Sequence, residues 1–423
     1  MASESNGRAG IALVLVGFVV VVATLGLGAA LAPDIGAATT NTDDARDERM
    51  TLVGSQGGGP GLHEGGSVYL LNDTNISWRV ADADSYFDVT KLEDGRIAAG
   101  FMHSGYEACG PYESPCTHTG YRIIDPDAEG GPAVVEEWSF PVRTRANSEV
   151  HDVEVLDSGE ILMTDMDRER VFTVRDGEVT WQWNASSMYD APADPTKTDW
   201  LHINDVDVIG EDRYLVSVRN ANQLVIVERG EGVVDVINED DDGDGKGDPD
   251  VMLRQHNPQW LGDGAVLVAD SENNRIIELH ENDAGDWEIA WSVHSAEGVS
   301  FRWPRDADRL PNGNTLITDS ANQRIVEVNQ SGEVVWSVKT PLIPYEAERL
   351  PMGETVGGQR SDATPSAAVE SNEIPVLSPL LTGVRASYPL PYWLAESHLA
   401  GVLLGLCSVG FGSGLMVQNR FDW

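Results

Sequence analysis

The chain has 423 residues, with 28 basic against 69 acidic side chains and a formal net charge of -41. So acidic a surface offers no basic stripe to displace the counterions of a polyanion, which excludes nucleic acid as a partner. Lysine is confined to Lys91, Lys197, Lys246 and Lys339, while Trp, Val and Ile recur at regular spacing; that pattern excludes a disordered polyanion and fits a protein solvated in concentrated salt, as in halophiles.

Residues 1–10 form a short polar N-terminus. Ile11 to Ala32 is an unbroken apolar run, long enough to cross a bilayer as a helix. Its rival reading is a cleaved signal peptide with Ala30-Leu31-Ala32 as the processing site, opposed by Pro33 directly after it. Residues 33–66 read as a polar, glycine-rich linker.

From 67 to 357 a unit of roughly fifty residues repeats, which is the signature of propeller blades. The cleanest copy runs from Arg305 through the Asn312-Gly313 turn to Asp319, followed by strands starting at Gln323 and Val334. Aligned copies begin at Phe87, His151, His202, His256, Arg305 and Tyr345, giving an all-β, six-bladed β-propeller. Two strands, Val68 to Leu71 and Ile76 to Val80, precede the first full copy, and the last copy lacks outer strands. The N-terminal strands are therefore expected to complete the last blade and close the ring, leaving no open edge. Trp78, Trp138, Trp181, Trp291 and Trp336 fall on outermost strands and read as packing between blades.

Cys109 and Cys116 lie in an insertion of the first blade and read as a disulfide in a segment outside the cell, with a zinc site using His103 and His118 as the alternative. The sequons at Asn72, Asn75 and Asn184 permit surface glycosylation. Asp240, Asp242, Asp244 and Asp248 have the spacing of a calcium loop with glycine at the sharp turn, although Val251 stands where a bidentate glutamate is expected. A solvated acidic loop is the alternative. Residues 358–398 form an acidic tether and pre-membrane segment in which Tyr392 and Trp393 sit at an interfacial position. Residues 399–417 are a second apolar run rich in glycine, suited to packing on another helix, before the tail at 418–423. Arg8 and Arg420 flank the outer ends of the two runs, and Asp43, Asp44, Asp47 and Glu48 follow the first. By the positive-inside bias both termini are cytoplasmic and the propeller is outside the cell membrane.

Inner strands of a propeller line its axis, so the six starting residues Phe87, His151, His202, His256, Arg305 and Tyr345 should form a ring. A lone histidine at a strand start is ordinarily structural; three in successive blades, followed by arginine, mark a site. Asp165, Asp270 and Asp319 end second strands and read as turn carboxylates. Arg219 aligns with them in the third blade, which should bring it near His202 and Asn204. Imidazoles, a guanidinium and an amide at one mouth make a receptor for a small oxyanion.

The succession His151-Asp152, His202-Ile203-Asn204, Ser217-Val218-Arg219 and Gln255-His256 with Trp260 and Gly262 resembles the bacterial aryl-sulfate sulfotransferases, over roughly residues 68–357. The resemblance implies transfer of a sulfuryl group from an aryl sulfate to a phenol through a sulfated histidine, with no nucleotide sulfate donor and no cofactor. By motif His256 is the nucleophile, His202, Asn204 and Arg219 hold the sulfuryl oxygens, and His151 assists. Arg305, Tyr345 and Phe87 would line the substrate. A neutral imidazole is a competent nucleophile, and fixed donors stabilise charge on the transferring group. The chain departs from the family at Val150 and Asp205, where histidine and serine are usual, and the linker has no room for the family's N-terminal β-domain. Acidity and the anchors at both ends are similar to haloarchaeal members. Two other readings of the residues stand beside this one: a non-catalytic NHL-like propeller binding a ligand or protein, and a metalloenzyme holding zinc or iron with His151, His202 and His256, which the charge of Arg219 opposes.

Overall fold

The computed structural model describes residues 2–32, 49–146, 148–353, 355–361 and 393–421, with isolated positions between 376 and 391. Asp43, Asp44, Asp47 and Glu48, the tether over 362–373, Tyr392 and the side chain of Arg420 lie outside the described residues. The chain divides into two compact units, one of Ile35–Val369 and one joining Met1–Asp34 to Glu370–Trp423.

The first unit is a ring of six four-stranded antiparallel sheets. Blade 1 comprises Ser85–Lys91, Ile97–Tyr106, Cys116–Asp125 and Ala133–Val142; blade 2 comprises Val153–Val155, Ile161–Asp165, Arg170–Arg175 and Glu178–Asn184. Blade 3 is Ile203–Gly210, Arg213–Val218, Gln223–Glu228 and Gly232–Ile237; blade 4 is His256–Gly262, Ala265–Asp270, Arg275–Glu281 and Trp287–Val293. Blade 5 is Asp306–Arg309, Thr315–Asp319, Arg324–Val328 and Val334–Lys339. Blade 6 orders Ile343–Leu350, Met50–Gly57, Gly66–Asn72 and Asn75–Ala83 from axis to rim.

Closure by N-terminal strands is thus as expected, but its composition is corrected. The stretch read as linker contains the strand Met50–Gly57, so one C-terminal strand meets three N-terminal ones. Glycine misled the reading: a Cβ on Gly54 would lie 1.9 Å from the Phe87 carbonyl oxygen, so this glycine serves a close approach of blade 1 rather than a loop.

Apolar clusters fill each gap between neighbouring blades, as with Leu162, Val171, Ile203 and Val216 between blades 2 and 3. Outer-strand tryptophans span the same gaps. The indole N–H of Trp138 donates to Gly177 O (3.4 Å), that of Trp291 to Gln330 O (3.0 Å) and that of Trp336 to Asp73 Oδ1 (3.0 Å), each on the next blade. Nearer the axis, carboxylates do the stitching. Asp88 accepts the Val153 N–H (3.1 Å), Asp152 that of Val206, Asp306 that of Ala347 (2.9 Å) and Glu346 that of Val89 (3.3 Å). The acidic residues of the inner strands are therefore engaged in joining one blade to the next, where adjacent sheets have no ladder of their own.

Cys109 and Cys116 are joined in a disulfide, which leaves no thiolate for zinc. Residues 355–361, the last four of which were expected in the tether, lie along blades 4 and 5, with Gly357 N–H on Trp260 O (2.6 Å) and Ser361 N–H on Glu278 (2.9 Å). Backbone donors without a sheet partner of their own find acceptors there.

In the second unit the helices Ala2–Leu31 and Glu396–Phe421 contain segments apolar and long enough to cross a membrane, of mean hydropathy 2.7 and 1.8. They pack on each other through glycine: a Cβ on Gly10 would lie 2.7 Å from Gly412 O, and one on Gly17 2.4 Å from Gly405 O. Small residues here permit contact of the two backbones.

Candidate active site at the propeller axis

The six strand-start residues do converge. Phe87 meets His151 edge-on (ring centroids 4.9 Å) and Tyr345 (5.4 Å), and His151 stacks on both His202 (5.4 Å) and Tyr345 (5.3 Å). His256 is edge-on to Tyr345 at 6.2 Å, and the Arg305 guanidinium lies over the same ring at 5.0 Å and over Trp303 at 3.8 Å. Tyr345 is the hub, touching four of the other five.

His256 is fully buried, at the start of the inner strand of blade 4. Its Nδ1 is 2.8 Å from Ser271 Oγ, and Ser271 Oγ is 2.6 Å from Pro304 O. A carbonyl only accepts, so the single serine hydrogen goes to Pro304 and the serine oxygen accepts from Nδ1–H. The lone pair is thereby placed on Nε2, which is buried with no hydrogen-bond partner among the described residues. Burial, and then the charges of Arg305 and Arg219, push the His256 imidazole well below its ordinary pKa, so the ring is neutral. His151 is shifted the same way, by burial first, and its Nδ1 is also unpartnered.

His202 precedes the inner strand of blade 3 in a left-handed conformation (φ 56°). The strain is held by Glu169, whose buried carboxyl accepts the N–H groups of Leu201 (2.8 Å), His202 (2.8 Å) and Ile203 (3.0 Å). Its ring Nδ1 faces Asp199 Oδ1 at 2.6 Å and an Arg219 nitrogen at 3.3 Å. Arg219 is therefore beside His202 as expected, but its register needs correcting. Strand pairing sets Asp165 opposite Arg170, Asp270 opposite Arg275 and Asp319 opposite Arg324, and in blade 3 the equivalent pair is Val218 with Gln223. The three aspartates ion-pair with those arginines at 2.6–2.8 Å. Arg219 stands one residue further on, level with Ser271, and both residues address Nδ1 of their own blade's histidine.

Asn204, at an irregularity of the inner strand, donates to Gln255 O (2.9 Å) and keeps Oδ1 unpartnered among the described residues. The Arg305 Nε and the Tyr345 hydroxyl are likewise buried without partners. Burial lowers the Arg305 guanidinium to about 10, still a cation at neutral pH, and raises the Tyr345 phenol well above its usual value, so it remains an O–H donor. Buried polar atoms left open in such number cost stability unless something binds them. A cavity beside Asn257 is lined by Gln259, Asp306, Asp308, Glu346 and Glu348, and its acidity suits no anion.

Several residues at the site were not foreseen. Ser271 sits in a turn and Asp199 in irregular chain, with no spacing that singles them out. His63 lies in the stretch read as linker; its Nδ1 meets Ser85 Oγ (2.7 Å) and its Nε2 the buried Glu149 (3.1 Å). Burial opposes ionisation of Glu149, and the hydrogen bond from His63 overrides it, holding the carboxyl below the usual range.

Among the described residues, Asp240, Asp242 and Asp244 are the one set of potential ligands with atoms within 4.8 Å of each other. Asp248, expected as the fourth ligand of that loop, lies outside this set and accepts the Asp250 N–H (2.8 Å). His151, His202 and His256 form no such set, and two arginines stand close by. The three-histidine metal centre does not fit this geometry.

Fold and site together define a six-bladed propeller with a buried imidazole–guanidinium cluster on its axis. A protein of unknown function from Bacteroides caccae shares the fold at a TM-score of 0.50 and 16% identity, over 71% of this chain and 98% of its own. The periplasmic gluconolactonase of Pseudomonas aeruginosa aligns at a TM-score of 0.43 and 16% identity, over 72% of this chain and 86% of its own. Virginiamycin B lyase from Staphylococcus aureus aligns at 0.36 and 12%, over 60% and 70%. At these identities the likeness is one of fold alone. No protein of curated function matches the chain. Residues 173–340 match the family model for arylsulfotransferase (ASST). That stretch contains His202, Asn204, Arg219, His256 and Arg305; Phe87, His151 and Tyr345 fall outside it.

Proposed function

We propose that the protein transfers a sulfuryl group from an aryl sulfate to a phenol through a sulfated His256, without a nucleotide donor. The observation that supports this most is the Ser271–His256 contact, which leaves a buried, neutral Nε2 lone pair beside two cations. In the first half-reaction Nε2 attacks sulfur, the S–O bond to the aryl group breaks, and the phenolate leaves with that electron pair. In the second, a phenol oxygen attacks the same sulfur and the pair returns to Nε2. Arg219, Arg305 and the Tyr345 hydroxyl face the sulfuryl oxygens as charge builds on them. Phe87 and Tyr345 supply aromatic walls for the aryl group. The two apolar helices would hold the propeller at the outer face of a membrane, and the acidic surface suits high salt, as in haloarchaea.

The direct test is release of a chromogenic phenolate from its sulfate ester, in high salt, with a phenol acceptor present. Turnover that vanishes in His256→Ala with the thermal melt unchanged is the expected outcome. Equal turnover in that variant rejects the reading.

A further inference from the structure

We infer that His202 takes the proton of the incoming phenol and that Asp199 is the residue positioning it; this rests on the sulfuryl-transfer reading above. Two polar groups compete for one atom of His202. Asp199 Oδ1 is 2.6 Å from Nδ1 and an Arg219 nitrogen is 3.3 Å from it. A carboxylate accepts and a guanidinium donates, so both cannot bond the same nitrogen in one tautomer. The shorter contact decides: Nδ1 carries hydrogen for Asp199, and the same Arg219 nitrogen donates to Asn220 Oδ1 at 2.9 Å.

Nε2 of His202 then holds a lone pair. A neutral ring in that tautomer has no hydrogen to offer a sulfuryl oxygen, so it is an acceptor in the resting site and not one of the oxygen-holding donors. It is also the most open of the three imidazoles, with 13% of its side chain exposed, while the His151 and His256 residues are exposed by 2% and 0%. Its backbone is clamped by Glu169 through three N–H groups, and Asn220 Nδ2 donates to Asp199 O (3.2 Å), so both members of the pair are held. The charged or titratable groups around His202 are Asp199, Arg219, Glu149, Glu169 and His151.

The phenol oxygen forms a bond to sulfur, the S–Nε2 bond of His256 breaks, and its electron pair returns to His256. The phenolic proton passes to His202 Nε2, and the resulting imidazolium is stabilised by the Asp199 carboxylate. That proton then leaves to solvent, which returns His202 to the neutral form.

The variant Asp199→Asn in the full chain tests this with two readouts. The first is the burst of 4-nitrophenolate from 4-nitrophenyl sulfate without acceptor, which reports sulfation of His256. The second is steady-state turnover across phenol acceptors ranging from un-ionised to fully ionised at the assay pH. We expect a burst amplitude equal to that of the unaltered protein. Turnover should fall about 100-fold or more with un-ionised phenols. With ionised acceptors, which have no proton to lose, it should stay within a few-fold. His202→Gln should show the same dependence on acceptor ionisation. A fall uniform across acceptors, no fall at all, or loss of the burst in Asp199→Asn overturns the inference. Absence of a burst in the unaltered protein instead overturns the sulfuryl-transfer reading beneath it.

Discussion

Residue by residue, the site works by withholding partners. His256 Nε2, Asn204 Oδ1, Arg305 Nε and the Tyr345 hydroxyl are all buried and unpaired among the described residues, and a neutral His256 sets the pH behaviour. Its folded pKa lies below the unfolded value of about 6.5, so on acidification the unfolded chain binds protons first. Stability from this group is therefore whole above about pH 6.5 and declines as pH falls toward the folded pKa. Catalysis should follow the folded value. The acid limb of kcat/KM for sulfuryl transfer is expected well below pH 6.5, and a midpoint at or above 6.5 would contradict a desolvated nucleophile. The ring of six was legible in the sequence because strand starts recur at the blade period. Ser271, Glu149 and His63 were not, since each acts through a turn or a long-range contact that no spacing encodes, and Asp199 was not, since it reaches His202 from irregular chain three residues away, outside any periodic element.

At the scale of the strand, the inner carboxylates explain themselves once the neighbouring blade is in place. Asp306 Oδ2 accepts both the Ala347 N–H (2.9 Å) and the Thr318 hydroxyl (3.1 Å). Asp306→Ala removes the acceptor of a buried donor on blade 6, and a loss of about 1–3 kcal/mol is expected in denaturant unfolding. A change within about 0.5 kcal/mol, the range of an ordinary surface substitution, would show that the stitch contributes nothing. The blade count was legible because it follows from local pattern, and so was the turn role of Asp165, which accepts the Arg168 N–H (3.0 Å); Asp270 and Asp319 instead accept the N–H groups of Leu253 (2.7 Å) and Arg302 (2.8 Å), 17 residues away. Sequence erred by one residue at Arg219, where Val218 and Gln223 replace the aspartate–arginine pair and remove the landmark. It missed Met50–Gly57 because glycine demanded by a neighbouring backbone is indistinguishable, in one dimension, from glycine demanded by a turn.

For the whole molecule, closure ties residues near position 50 to residues near position 350, with Met50 opposite Leu350 and Val53 opposite Ala347. A chain lacking Met50–Gly57 leaves Ile343–Leu350 and Gly66–Asn72 with bare edges in the middle of a sheet. Its unfolding is expected to lose the single cooperative transition of the intact ring; a transition of unchanged midpoint would refute the closure. The ring matters to the chemistry because Tyr345 comes from the blade that contains the seam and Phe87 and His151 from the next two, and they meet His202 and His256 only when it is shut. The most direct measurement is mass spectrometry of the protein quenched after brief exposure to an aryl sulfate without acceptor. The account predicts one added sulfuryl group, on the peptide containing His256, that disappears when a phenol is supplied. An unmodified His256, or a label on any other residue, would contradict it.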